Sequence, residues 1–115
     1  MEDLRMAGFA YIRQGKYDIA LPLFETLCLI SKDEAYDFQT LGALYLQLNK
    51  PKEAIGCCET ALKLEAEHSP TLLNLAKAFF MLGRKAEGLK VAEILSHEID
   101  LSISNPAKAL ILAYS

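Results

Sequence analysis

The 115-residue chain repeats itself at a spacing of 34 residues. Gly8 and Tyr11 recur as Gly42 and Tyr45 and soften to Ala76 and Phe79, while Ala20 returns as Ala54 and then as Gly88. A fixed period of this length is the mark of a stacked array of helical hairpins, in which each unit covers the apolar face of its neighbour. Such an array carries its function on a surface, not in a catalytic pocket.

Leu4, Ala7, Gly8 and Tyr11 stand at i, i+3, i+4 and i+7, on one face of a helix, and Phe38, Leu41, Gly42 and Tyr45 repeat the pattern. Leu72, Leu75, Ala76 and Phe79 make the third copy. The small residue inside each set lets a second helix cross closely, because no side chain holds the backbones apart. That second helix carries Ala20, Leu23, Phe24 and Leu27, then Ala54, Cys57, Cys58, Ala61 and Leu62, then Gly88, Val91, Ala92 and Leu95. Gln14-Gly15-Lys16, Leu48-Asn49-Lys50-Pro51 and Leu82-Gly83-Arg84 break the hairpins, each with a residue that tolerates the left-handed conformation. Pro51 suits the first turn of the helix it opens.

Between copies, Ser31-Lys32-Asp33-Glu34 has the spacing of a capping box, and Ser69-Pro70 pairs a cap with a first-turn proline. Asn105-Pro106 has the same form and predicts a short seventh helix over Ala107 to Ala113, inside a capping segment of about 105–115. The periods 1–34, 35–68 and 69–102 take up nearly all the chain, so the expectation is one all-α domain spanning 1–115.

Hydrophobic residues make up 52% of the chain and charged ones 23%, with mean hydropathy +0.17. That balance is oily for a small solenoid with two open ends, and it implies that a partner covers part of the surface. Net charge is −3, and Lys16, Lys50, Lys52, Arg84 and Lys85 are scattered, so the basic footprint of a nucleic-acid binder is absent. No apolar run approaches the roughly 20 residues that span a bilayer. The acidic start Met1-Glu2-Asp3 lacks the positive flank of a secretion signal, which makes the chain cytoplasmic in this reading, without membrane insertion.

Cys28, Cys57 and Cys58 fall on helix faces expected to be buried and read as reduced thiols. Cys57 and Cys58 are adjacent, about 100° apart on a helix, and neither His68 nor His97 has a ligand partner at helical spacing, so no metal site is expected. Both histidines read as solvated residues near helix C-termini. Glu65, Glu67, Glu93, Glu98 and Asp100 read as solvated faces, not as an acid–base pair. With no nucleophile elbow and no Gly-rich phosphate loop, the sequence predicts neither an enzyme nor a cofactor.

These residues resemble the tetratricopeptide repeat, whose first helix carries a bulky residue, Leu-Gly and Tyr, and whose second carries Ala, Phe and Ala. The second copy is nearest, with Phe38, Leu41-Gly42, Tyr45, Ala54 and Ala61 in place and Cys58 where an aromatic is usual. The resemblance implies three hairpins in a right-handed solenoid whose first helices line a concave, peptide-holding groove. The stripe about a third of a turn from the packing face carries Arg5, Phe9, Ile12, Tyr36, Gln39, Ala43, Leu46, Leu73, Lys77, Phe80 and Met81, and most of it is apolar. The alternative for Phe9 and Phe80 is packing between neighbouring repeats.

Members of the family that serve as chaperone cofactors hold a C-terminal carboxylate with a Lys/Asn/Arg clamp. Here the corresponding surface offers Phe9, Thr40, Pro70 and Asn74, without that set of donors. An apolar segment, extended or amphipathic, is the better match. In size and in the stretch from Tyr36 to Leu48 the chain is also similar to the small chaperones of bacterial type III secretion. That resemblance implies a noncatalytic chaperone or co-chaperone for a translocator or needle subunit. The competing reading is an assembly subunit that forms a homo-oligomer through the apolar ends of its solenoid.

Overall fold

The computed structural model describes residues 2–114, which form seven α-helices and no strand. They are α1 (Glu2–Arg13), α2 (Tyr17–Ile30), α3 (Ala35–Gln47), α4 (Pro51–Leu64), α5 (Ser69–Met81), α6 (Lys85–Leu95) and α7 (Leu101–Tyr114). Successive helices pack on one another in chain order, and α5 also touches α3 and α7. The result is an elongated stack with extents of 41 × 24 × 24 Å.

The three hairpin turns share one backbone device. Gly15, Asn49 and Gly83 have φ of 75°, 60° and 76°, the left-handed conformation that stops a helix. In each, two backbone donors return to the last turn: Gly15 to Ile12 and Lys16 to Tyr11 (both 2.9 Å), Asn49 to Leu46 (3.0 Å) and Lys50 to Tyr45 (2.8 Å), Gly83 to Phe80 (3.0 Å) and Arg84 to Phe79 (2.8 Å). These paired bonds satisfy carbonyls that the helix itself leaves open.

The predicted caps sit differently. Ser31 closes α2, its amide bonded to the Leu27 carbonyl at 2.8 Å, and α3 starts after Glu34 without a side-chain cap. At α5 the N-cap is His68, which puts Ser69 and Pro70 in the first turn and makes His68 a helix-start residue, not a C-terminal one. The seventh helix begins at Leu101, six residues before the expected start at Ala107. Asp100, expected to be merely solvated, accepts hydrogen bonds from the Ser102 amide (2.9 Å) and hydroxyl (2.7 Å). Those two bonds hold its carboxyl below the usual carboxylate range, hydroxyl first and amide second. Pro106 is therefore an interior residue of α7, where it withholds one helical donor.

Apolar burial runs along the stack in linked groups. Ala20, Phe24, Leu27, Cys28, Leu41 and Leu44 join α2 to α3, while Ala54, Ile55, Cys58, Leu75, Ala78 and Phe79 join α4 to α5. Leu73, Leu95, Ile103 and Ala107 seat α7 on α5 and α6. The crossings within hairpins rely on backbone approach: a Cβ placed on Gly8 would lie 2.5 Å from the Phe24 ring, and one on Gly42 would lie 3.2 Å from Cys58 Sγ.

Candidate functional site

The first helices of the three hairpins, α1, α3 and α5, leave a cavity of about 400 Å³ between them. Phe9 and Ile12 come from α1, Tyr36, Gln39, Thr40, Ala43, Leu44 and Gln47 from α3, and Pro70, Thr71 and Asn74 from α5, with Tyr17 and His68 at its rims. No Lys, Arg, Asp or Glu is among its lining residues. The wall is therefore uncharged, apolar and aromatic in large part, with the carboxamides of Gln39, Gln47 and Asn74, the hydroxyls of Tyr17, Tyr36, Thr40 and Thr71 and the His68 ring as its hydrogen-bonding groups.

Phe9 is fixed from two sides. Its ring meets the fully buried Phe24 edge-on at 5.3 Å and stacks with Tyr36 at 5.6 Å. Tyr36 is 53% exposed, so the stack presents one aromatic face to a ligand. At the opposite rim, His68 Nδ1 lies 2.6 Å from Thr71 Oγ1, which ties the start of α5 to the cavity wall. The Gln39 amide donates to Glu65 Oε2 at 3.2 Å.

A second cavity of about 300 Å³ adjoins the first, lined by Ala43, Leu46, Gln47, Asn74, Lys77 and Met81. Of the eleven stripe residues named from sequence, Phe9, Ile12, Tyr36, Gln39 and Ala43 thus line the first cavity, and Ala43, Leu46, Lys77 and Met81 the second.

Arg5, Leu73 and Phe80 do not face open space as the stripe implied. Arg5 reaches into α3, where Nε and a terminal nitrogen each donate to an Asp37 carboxylate oxygen at 2.8 Å. Asp37 is completely buried, and its hydrogen bonds and charge, with help from Glu2, hold the guanidinium above its already high pKa against the effect of burial. Leu73 is 7% exposed and packs with Leu95, Ile103 and Ala107, because α7 occupies the place that the next first helix would take.

Phe80, 5% exposed, is held by a swap of roles inside the third hairpin. In the first hairpin Gly8 of the first helix receives Phe24 of the second. In the third hairpin Ala92 stands where Phe24 would be, and Phe80 of the first helix fills the space against Gly88, whose Cβ would lie 2.8 Å from its ring. Tyr114 then stacks on its outer face at 4.4 Å and 9°.

Sequence reading did not name Tyr17, Leu44, Gln47 or Thr71 as wall residues. Gln47 lies one helical turn beyond Ala43, a signal the stripe could have carried, whereas Tyr17 arrives only through the hairpin turn. Away from this face the three cysteines are free. Burial pushes the thiols up, Cys57 to about 11 and Cys28 and Cys58 to about 12, which keeps them protonated and poorly nucleophilic. Tyr45 donates to Glu25 at 2.6 Å, and burial followed by this bond raises its pKa.

Residues 13–95 match the family model described as anaphase-promoting complex, cyclosome, subunit 3. A mouse (Mus musculus) relative, Superkiller complex protein 3, is 28% identical over 79 residues, covering 69% of this chain and 5% of that protein, so the chain spans a small fraction of its relative's length. Among solved structures, the Yersinia enterocolitica type III secretion translocator chaperone SycD superposes with TM-score 0.86 at 19% identity, over 98% of this chain and 81% of that one. PcrH, in complex with the chaperone-binding region of PopD, gives 0.85 at 20% identity over 98% and 89% of the two chains. The first repeat domain of Spaghetti (RPAP3), bound to the HSP90 peptide SRMEEVD, gives 0.83 at 22% identity over 96% and 89%. The tetratricopeptide array read from the 34-residue period is the fold these structures share, and by its match across residues 13–95 the chain belongs to the anaphase-promoting complex, cyclosome, subunit 3 family of such repeats.

Proposed function

We propose that this protein is a noncatalytic, cytoplasmic chaperone or co-chaperone, acting as one unit over 1–115, that holds an apolar segment of a partner protein against α1, α3 and α5. The observation that carries the reading is the uncharged cavity of about 400 Å³ with the Phe9–Tyr36 stack at one end. A cavity of this size admits one or two large side chains, and its carboxamides match the donors and acceptors of a peptide backbone. Support comes from the shared fold of PcrH, which holds a region of PopD, and of SycD, solved with a peptide of the translocator YopD. In the finer form of the proposal the client is a translocator or needle subunit of type III secretion.

Tyr36→Ala is the direct test, because the side chain is exposed and its loss leaves the core intact. Against a peptide selected on the wild-type protein, calorimetry is expected to show affinity about tenfold weaker, with unchanged helicity. Unchanged affinity overturns the groove. Co-expression with translocator and needle subunits separates the clients: a soluble complex supports secretion, and a client that stays insoluble counts against it. Exposed Ile99, Leu101 and Leu112 favour the second reading, self-association through the end of the stack, which light scattering on the isolated protein would reveal as a constant oligomer.

A further inference from the structure

The two cavities share Ala43, Gln47 and Asn74 as wall residues and so adjoin along one face, hereafter the channel. Phe9, Ala43 and Lys77 occupy the same position on α1, α3 and α5, 34 residues apart. Along the channel that position changes from aromatic to small to cationic. Lys77 is exposed, among the described residues no carboxylate lies within 4.0 Å of its amine, and it is the one Lys or Arg among the residues that line the two cavities. A cation left open beside an apolar wall, in a channel that otherwise lacks charge, selects an anion at that end.

Building on the peptide-binding reading, we propose that Lys77 determines specificity. The occupant is an extended internal segment that places a bulky apolar side chain by Phe9 and Tyr36 and an aspartate or glutamate side chain by Lys77. Neighbouring helices lie about 10 Å apart, so the two ends are separated by about 20 Å. An extended chain rises about 3.3 Å per residue, which sets the anchor and the acid about six residues apart. Ala43 leaves room for the backbone between them, and Gln47 and Asn74 flank its path.

The test is selection from a random peptide library of about twelve residues, displayed between linkers so that no free carboxy terminus is offered. Sequences recovered on the wild-type protein are expected to pair an apolar residue with an acidic one about six positions away. On Lys77→Glu the acidic position is expected to become Lys or Arg while the apolar anchor persists. A recovered peptide should bind K77E at least about fivefold more weakly than wild type, with the difference shrinking at about 1 M salt. Apolar peptides without an acidic preference, or a preference that survives Lys77→Glu, overturn the role of Lys77 and leave the groove standing. Recovery of no peptide, or binding indifferent to Tyr36→Ala, overturns both.

Discussion

Arg5 and Asp37 show how one contact can redirect a residue. Both belong to first helices, yet the pair bridges α1 and α3 across 32 residues of sequence and leaves Arg5 closed to ligands. A buried charge pair adds little over an apolar substitute, but removing one partner strands the other without water. Asp37→Ala is therefore expected to cost about 3 to 5 kcal/mol in urea unfolding, while the double change Arg5→Met with Asp37→Leu recovers most of that loss. A double variant as unstable as Asp37→Ala would show that the site needs the charges themselves. In sequence Asp37 is an ordinary first-turn acid, and nothing local announces that α1 will cover it.

At the scale of elements, the hairpins trade volume across their crossings. Gly8 receives Phe24, Gly42 meets the smaller Cys58, and Gly88 receives Phe80 from the opposite helix. In the first and third hairpins a phenyl ring meets the glycine, but the donor of the ring changes, and this removes Phe80 from the groove. Gly8→Ala is expected to lose about 1 to 3 kcal/mol, since the ring it meets is fully enclosed and has no room to retreat. Gly56, inside α4 with open space at its Cβ position, should behave oppositely, and Gly56→Ala should gain roughly 0.5 to 1 kcal/mol. Thermal unfolding of the two variants checks both signs, and equal destabilisation would refute the packing account. Gly88 in the place of Ala20 and Ala54 is visible in the repeat register, but that a large side chain arrives from the other helix to fill the space is seen only in the packed hairpin.

For the whole molecule, α7 decides where the groove ends. It buries Ile103 and Ala107 against Leu73 and Leu95, and Tyr114 covers Phe80. Deleting residues 101–115 should expose that set, cost at least about 3 kcal/mol, and raise binding of an apolar dye. A truncated chain with an unchanged melting temperature would mean that α7 is only an appendage.

The 34-residue period was legible in the sequence because the same residue types return in register, and the hairpin stops because each depends on neighbours within one helical turn or one tight loop. Phe9 and Tyr36 are each named from periodicity within their own helices, α1 and α3, but their stacking is a contact between the two. Where α7 begins, which of Leu73 and Phe80 stays open, and whether Arg5 is available rest on contacts between segments far apart along the chain. Helical periodicity gives the direction of a side chain but not what stands in front of it, and only the packed stack supplies that.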